Sequence, residues 1–200
     1  MEWTSSRSAQ GLAEAERLEV HSIYPFHPHE AVHVYSALIG RPSDFFNEGL
    51  AVAFANDPLN GSFDGRYSNQ PVHPWARQNQ ALLRPIEETV TTDAFRQVPD
   101  AISYPQAGSF VEFLVEAEGC AAVRELFRRG RLEDTLDTIR AAFQASFGFS
   151  LAEAESRWRA FLTSGVAPAL GAGPSTRCVA VRGSSWHGLG PRRPQTPGAD

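Results

Sequence analysis

Residues 28–40 have the sequence PHEAVHVYSALIG, with a clear start and end for a helix. Pro28 suits the first turn of a helix, where its missing N–H costs nothing. Gly40 is typical of the position just after a helix, so it marks the end of the segment. We therefore predict a helix over about residues 29–39, and this helix carries the most informative motif in the chain.

That motif is HExxH, formed by His29, Glu30 and His33. Residues four apart share one face of a helix, so both imidazoles can reach one metal ion. Glu30 lies beside them, near enough to act on a water at that ion but not as a main ligand. Zinc held in this way keeps an open fourth position, and its water becomes acidic near neutral pH. The motif predicts one zinc ion per chain, with Glu30 as the general base.

A catalytic zinc site of this kind needs a third protein ligand. A second helix, capped by Ser43 or Asp44, is predicted to run to about residue 55. Glu48 lies on this helix. A hairpin turn between the two helices would fold the second beside the first, with Glu48 facing the two histidines. Glu48 is therefore the predicted third metal ligand.

The rest of the chain up to residue 163 is predicted to be mostly helical. Residues 104–117 have apolar side chains at the i, i+3, i+4 and i+7 positions of a core-facing helix. Ser150, followed three residues later by Glu153, has the pattern of a capping box. Further helices are predicted near 75–83 and over 121–129, 132–147 and 150–162, with a long loop over 57–74.

The two ends of the chain differ from its middle. The polar start includes a marginal helix at 12–18, and residues 18–24 alternate as a short strand does. Gly, Pro, Ser, Ala and Arg dominate the last residues, which is typical of a disordered tail. We predict a polar segment over 1–19, one folded domain over 20–163 and a disordered tail over 164–200. The predicted fold class is mainly α with a short N-terminal β element.

Composition and charge exclude several classes of protein. The formal net charge of −5 argues against nucleic acid as a partner. The apolar runs are too short to cross a bilayer, and the first residues do not have the pattern of a signal sequence. We therefore predict no transmembrane segment and take the cytoplasm as the default location. A 42% apolar content over 200 residues is enough for one ordinary core.

Three stretches together resemble one family. They are HEAVH at 29–33, NEGLAVAF at 47–54 and YPQAGSFVEFL at 104–114. They are similar to the gluzincin zinc metallopeptidases, specifically the bacterial peptidase-MA-like group, which is related to zinc aminopeptidases. The similarity extends over about residues 25–162. It implies the helical lobe of a zincin: the HExxH helix, a helix with the ligand Glu, and a C-terminal helical bundle.

The resemblance also implies roles for individual residues. His29, His33 and Glu48 would be the zinc ligands, and Glu30 would be the general base of a reaction that hydrolyses peptide bonds in a peptide or protein substrate. Tyr104 would stabilise the oxyanion with its hydroxyl. Members of the family have a β-sheet before the HExxH helix, whereas 28 residues precede it here. We therefore expect this chain to correspond to the carboxy-terminal part of such a domain.

Other interpretations remain open. The chain could be a non-catalytic helical module that keeps its zinc for structure or partner binding, although a structural zinc normally has four protein ligands. It could also be a helical protein without metal, with a solvated HExxH helix. Tyr104 could simply be a half-buried aromatic at a helix start. Asp44 is interpreted as a helix cap rather than as a partner of a metal-bound imidazole, and His73 as a loop histidine.

Overall fold

The computed structural model describes residues 11–14, 16–22, 27–54 and 65–165, and this part of the chain is mainly helical. Its strands form two small antiparallel hairpins, β1–β2 and β3–β4. In chain order the elements are β1 (Gly11–Glu14), β2 (Glu19–Ser22), α1 (Pro28–Ala37), α2 (Asp44–Ala53), β3 (Arg66–Tyr67), β4 (Gln70–Pro71), α3 (Val72–Gln78), α4 (Thr92–Gln97), α5 (Asp100–Glu118), α6 (Cys120–Arg129), α7 (Leu136–Phe147) and α8 (Leu151–Ser164). The predicted fold class, mainly α with a short β element near the N-terminus, is confirmed at this level.

Helices α2 and α5 pack against each other at the centre of the structure. Two glycines allow their backbones to approach. A Cβ on Gly49 would lie 2.7 Å from Val111 Cγ2 and 2.8 Å from the carbonyl oxygen of Ala107, and a Cβ on Gly108 would overlap Val52. A Cβ at either position would come closer to its neighbours than real Cβ atoms do, so a larger residue would force α2 and α5 to shift. This contact sets the position of α2 relative to the core.

Buried aromatic rings fill the space between α2, α5, α7 and α8. Phe110 packs edge to face against Phe45 and Trp158, with ring centroids 5.9 and 5.6 Å apart. Phe46 stacks on Phe143 at 6.3 Å. Such pairs contribute beyond the area that they bury. Because every one of these rings is buried, the aromatic cluster is the centre of the hydrophobic core.

The N-terminal segment differs from its prediction. The marginal helix predicted at 12–18 is wrong: Gly11–Glu14 is a strand that pairs antiparallel with Glu19–Ser22. An isolated helix this short is marginal in water, whereas pairing with a second strand satisfies backbone groups of both. The strand predicted over 18–24 is confirmed over Glu19–Ser22, and its last two residues lie outside the described part of the chain.

The middle of the chain contains more regular structure than predicted. The last residues of the loop predicted over 57–74 instead form the hairpin β3–β4 and the start of α3, while 57–64 lie outside the described residues. Helix α5 begins at Asp100, four residues before the predicted start. Helix α7 begins at Leu136 rather than at 132, because the Thr135 side chain accepts the N–H of Thr138 and caps the helix there.

The end of the folded part agrees with the sequence analysis. Ser150 Oγ accepts the N–H of Glu153 at 3.1 Å, which confirms the predicted cap of α8. Helix α8 ends at Ser164, and Gly165 follows with a φ of 67°. The predicted tail over 164–200 therefore begins inside the last helix, and its residues from 166 on lie outside the described ones. None of the helices described is long and apolar enough to cross a membrane.

Candidate metal centre

The three predicted ligands meet between α1 and α2. His29 Nε2 lies 3.1 Å from Glu48 Oε2, and His33 Nε2 lies 3.2 Å from the same oxygen. The two Nε2 atoms are 3.2 Å apart. The three atoms thus form a nearly equilateral triangle, contributed by two positions one turn apart on α1 and one position on α2.

This triangle fits a tetrahedral zinc ion. Zinc bonds of about 2.0–2.2 Å place neighbouring ligand atoms about 3.3–3.5 Å apart, and the observed distances are only slightly shorter. Hydrogen bonding alone explains the arrangement less well. If both imidazoles donate to Glu48, both Nε2 atoms carry a hydrogen. Two donors then lie 3.2 Å apart, and neither can accept a hydrogen bond from the other. Two neutral imidazoles and one carboxylate are also a donor set that zinc accepts.

The α1–α2 hairpin is held in place by α6. A Cβ on Gly40, in the turn after α1, would overlap the carbonyl group of Phe127. Gly130, just past α6, also packs closely on Pro42, because its Cβ would lie 2.7 Å from that ring. The turn between α1 and α2 is therefore packed against the C-terminal end of α6 at two points. This contact, together with the packing of Gly49 of α2 against α5, brings Glu48 opposite the histidines.

The charges around the triangle favour a cation. Burial raises the pKa of the Glu48 carboxyl, but hydrogen bonds from His29 and His33 outweigh it and lower the pKa to about 2. Glu48 is therefore a carboxylate at neutral pH. Burial lowers the pKa of His33, but the hydrogen bond to Glu48 and the negative charges of Glu48 and Glu30 raise it above its ordinary value. The negative charges of Glu48 and Glu30 thus favour a positive charge at this position, which a bound metal ion would supply in place of the proton.

Glu30 lies at the start of α1, against the N-terminal hairpin. A Cβ on Gly11 of β1 would lie 2.6 Å from Glu30 Cγ, so the strand crosses directly over this side chain. The carboxylate acts electrostatically on His33, which places its charge near the triangle. Glu30 does not belong to the group of described side chains whose ligand atoms converge. Glu30 therefore lies beside the triangle and is not one of the three candidate ligands.

Tyr104 lies beside the triangle, on the second turn of α5. Its ring stacks on His29 with centroids 6.3 Å apart and contacts Tyr67 at 5.6 Å. Burial raises the pKa of Tyr104, and the negative charge of Glu48 raises it further. Its hydroxyl therefore stays protonated at neutral pH and can donate a hydrogen bond. Sequence reasoning missed Tyr67, which lay in a segment predicted to be loop and has no motif around it.

Asp44 and His73, the two other residues considered in the sequence analysis, have other roles. Asp44 is the first residue of α2, and its carboxylate accepts a hydrogen bond from Arg96 Nε at 2.6 Å. It therefore neither caps the helix nor holds an imidazole. The Nδ1 atom of His33, which such a partner could have held, is buried and has no hydrogen-bond partner among the residues the structure describes. His73 lies in α3 and not in a loop, and it contacts Ser109 of α5 rather than the triangle.

A polar cavity of about 180 Å³ opens beside His33 and Glu48. It follows the groove between α1 and α2 and reaches β1. Its remaining lining residues are Ala13, Ala37, Arg41, Asp44, Asn47 and Arg96. The triangle is therefore reached from a groove and is not sealed inside the core.

No protein-family model, curated protein or solved structure matches this chain. The similarity of its three motifs to gluzincin peptidases therefore stays a prediction. The structure brings His29, His33 and Glu48 within 3.2 Å of one another, with the Tyr104 ring beside His29. Glu30 lies near enough to act electrostatically on His33.

Replacing Gly49 by alanine is expected to lower the free energy of unfolding by about 1–3 kcal/mol, because the new Cβ meets the backbone of α5. The substitution also displaces Glu48, so zinc should bind more weakly. Urea unfolding and zinc titration measure the two effects. Gly148→Ala is the control: its Cβ meets nothing within 4 Å, but its φ of 80° disfavours alanine. It should lose stability without losing zinc affinity. Unchanged stability in Gly49→Ala would contradict the packing argument.

Proposed function

We propose that this protein is a zinc-dependent metallopeptidase of the gluzincin type, which hydrolyses peptide bonds in a peptide or protein. The observation that carries the proposal is the triangle of His29, His33 and Glu48, with atoms 3.1–3.2 Å apart. Three protein ligands leave a fourth position open, which is typical of catalytic zinc and not of structural zinc. This favours an enzyme over a module that binds zinc only for structure.

Each of the remaining site residues has a chemical task. When bound, zinc supplies a Lewis acid that polarises the scissile carbonyl and acidifies a water molecule. The Glu30 carboxylate takes up the proton of the attacking water and passes it to the nitrogen of the leaving amine. The Tyr104 hydroxyl donates a hydrogen bond to the oxygen on which negative charge develops. Its raised pKa keeps the required proton in place. No covalent bond between enzyme and substrate is needed.

The N-terminal hairpin supports a peptide as the substrate. Strand β1 crosses the start of α1 and lies against Glu30. One edge of β1 pairs with β2, and no other described strand pairs with its second edge. An extended peptide can bind to such an edge through main-chain hydrogen bonds. A substrate bound there would pass close to Glu30 and the triangle.

The test combines zinc content with peptide cleavage. We expect elemental analysis of the purified chain to show a zinc content that falls by one equivalent in both His33→Ala and Glu48→Ala. Cleavage of a mixed library of fluorescence-quenched peptides should disappear in the same variants. Glu133→Ala, at an exposed position between α6 and α7, is the control and should keep both properties. A zinc content that neither ligand variant changes would refute the proposed site.

A further inference from the structure

A second group of metal-ligating side chains lies where α3 packs against α5. His73 Nε2 lies 3.6 Å from Glu112 Oε2 and 3.5 Å from Glu116 Oε2. The two glutamates are one turn apart on α5 and so share a face. They lie two and three turns beyond Tyr104, which is about 12–18 Å along the helix axis. The group is therefore separate from the triangle of His29, His33 and Glu48.

His73 is oriented by its other ring nitrogen. Nδ1 lies 2.9 Å from Ser109 Oγ, and the same oxygen accepts the N–H of the buried Trp158 at 3.1 Å. When Nδ1 donates its proton to Ser109, Nε2 presents a lone pair towards the two carboxylates. Histidines that bind metals are usually held in this way, with the second ring nitrogen donating to a fixed neighbour.

The distances around His73 Nε2 suit a shared cation better than a hydrogen bond. This nitrogen is buried, and the structure gives it no hydrogen-bond partner among the described residues. Its distances of 3.5 and 3.6 Å to the carboxylates exceed the usual 2.7–3.2 Å or so of a hydrogen bond. They are close to the spacing of about 3.3–3.5 Å between ligand atoms on one zinc ion, and the three ligand atoms all lie within 4.8 Å of one another. The three side chains are therefore near enough to share one metal ion.

Glu112 is held as firmly as His73. Its side chain is only 4% exposed, and its Oε1 accepts the N–H of Gly65 at 3.1 Å. This leaves Oε2 directed at His73. Glu116, at 39% exposure, borders the group on the solvent side. The cluster therefore has two fixed inner ligands and one outer ligand through which an ion can enter.

We propose that His73, Glu112 and Glu116 bind one divalent transition-metal ion, with zinc as the best match, and that this ion ties α3 to the central helix α5. One imidazole and two carboxylates are a donor set that zinc accepts. The ion would join two packed helices through side chains already oriented by Ser109 and Gly65, and a water molecule would fill the position that three protein ligands leave open. It does not depend on the proposed peptidase activity.

The test uses the 200-residue chain with His29→Ala and His33→Ala, which removes the first site. We expect this double variant to bind one zinc ion per chain by elemental analysis, and added zinc to raise its Tm. Adding Glu116→Ala should weaken zinc binding at least tenfold. Glu116→Gln keeps the side-chain shape and gives a second variant, and circular dichroism confirms that each variant folds. Glu118→Ala, on the same helix outside the cluster, is the matched control and should bind zinc normally.

The outcomes separate this proposal from the peptidase proposal. A double variant that binds no zinc would overturn the second site, as would zinc binding that Glu116→Ala and Glu116→Gln leave unchanged. If the unaltered chain loses its only zinc with Glu116→Ala but not with His33→Ala, the second site stands and the triangle fails as a metal centre. Two zinc equivalents, each lost with its own variants, support both sites.

Discussion

Glu30→Gln is expected to lower kcat/KM for peptide hydrolysis by a factor of at least about 10², and up to about 10⁴, while the zinc content stays unchanged. Glutamine has almost the same shape as glutamate, so the contact with β1 at Gly11 should persist. Its amide cannot accept the proton of the attacking water. The substitution therefore removes the base and leaves the ligands His29, His33 and Glu48 in place.

The measurement is cleavage of the best substrate from the peptide library, with zinc determined on the same samples. Glu88→Gln, at an exposed position in the short 3₁₀ turn over Ile86–Glu88, is the matched control and should retain full activity. Full hydrolysis by Glu30→Gln with zinc bound would show that another group takes the proton. Parallel loss of zinc and activity would show instead that Glu30 helps to hold the metal.

Trp158→Ala is expected to lower the free energy of unfolding by about 3–5 kcal/mol. The Trp158 side chain is fully buried, packs edge to face on Phe110 at 5.6 Å and donates its N–H to Ser109 at 3.1 Å. Alanine leaves a large cavity and removes the donor from a buried hydroxyl. A loss of this size is a large part of the stability of an ordinary domain.

Chemical unfolding followed by circular dichroism measures this loss and does not depend on the fluorescence of the removed indole. Trp158→Phe is the matched control, because it keeps an aromatic ring and removes only the N–H and part of the volume. It should lose clearly less stability than Trp158→Ala. Equal losses in the two variants would mean that the hydrogen bond to Ser109, and not the filled volume, stabilises α8 against α5.

Local sequence signals predicted several elements well because their physical causes are local. Pro28, the turn glycine Gly40 and the i, i+4 histidines all act within one helix, and α1 ends two residues before its predicted end. Ser150 and Glu153 form the predicted cap of α8 for the same reason. The start of α7 was missed because Thr135, which caps it, was read as part of the helix interior.

Elements that depend on a distant partner were not predicted. Strand β1 has too few apolar residues for a strand signal of its own, and its backbone is satisfied by pairing with β2. Tyr67 reaches Tyr104 from a hairpin that the sequence predicted as loop. No spacing rule connects His73 with Glu112 and Glu116, because α3 and α5 meet only through packing. The second cluster therefore has no sequence signature.

The sequence by itself determined which residues could be ligands and which could be the base, because HExxH puts two imidazoles on one face of one helix. It also determined the mainly helical character of the chain, through periodicity within each segment. Only the tertiary structure decided that Glu48 meets His29 and His33, since that depends on the hairpin clamped at Gly40 and on the approach of α2 to α5 at Gly49. Those contacts join residues far apart in the chain. They depend on side-chain volumes and on how closely two backbones can approach, and no local sequence pattern specifies them.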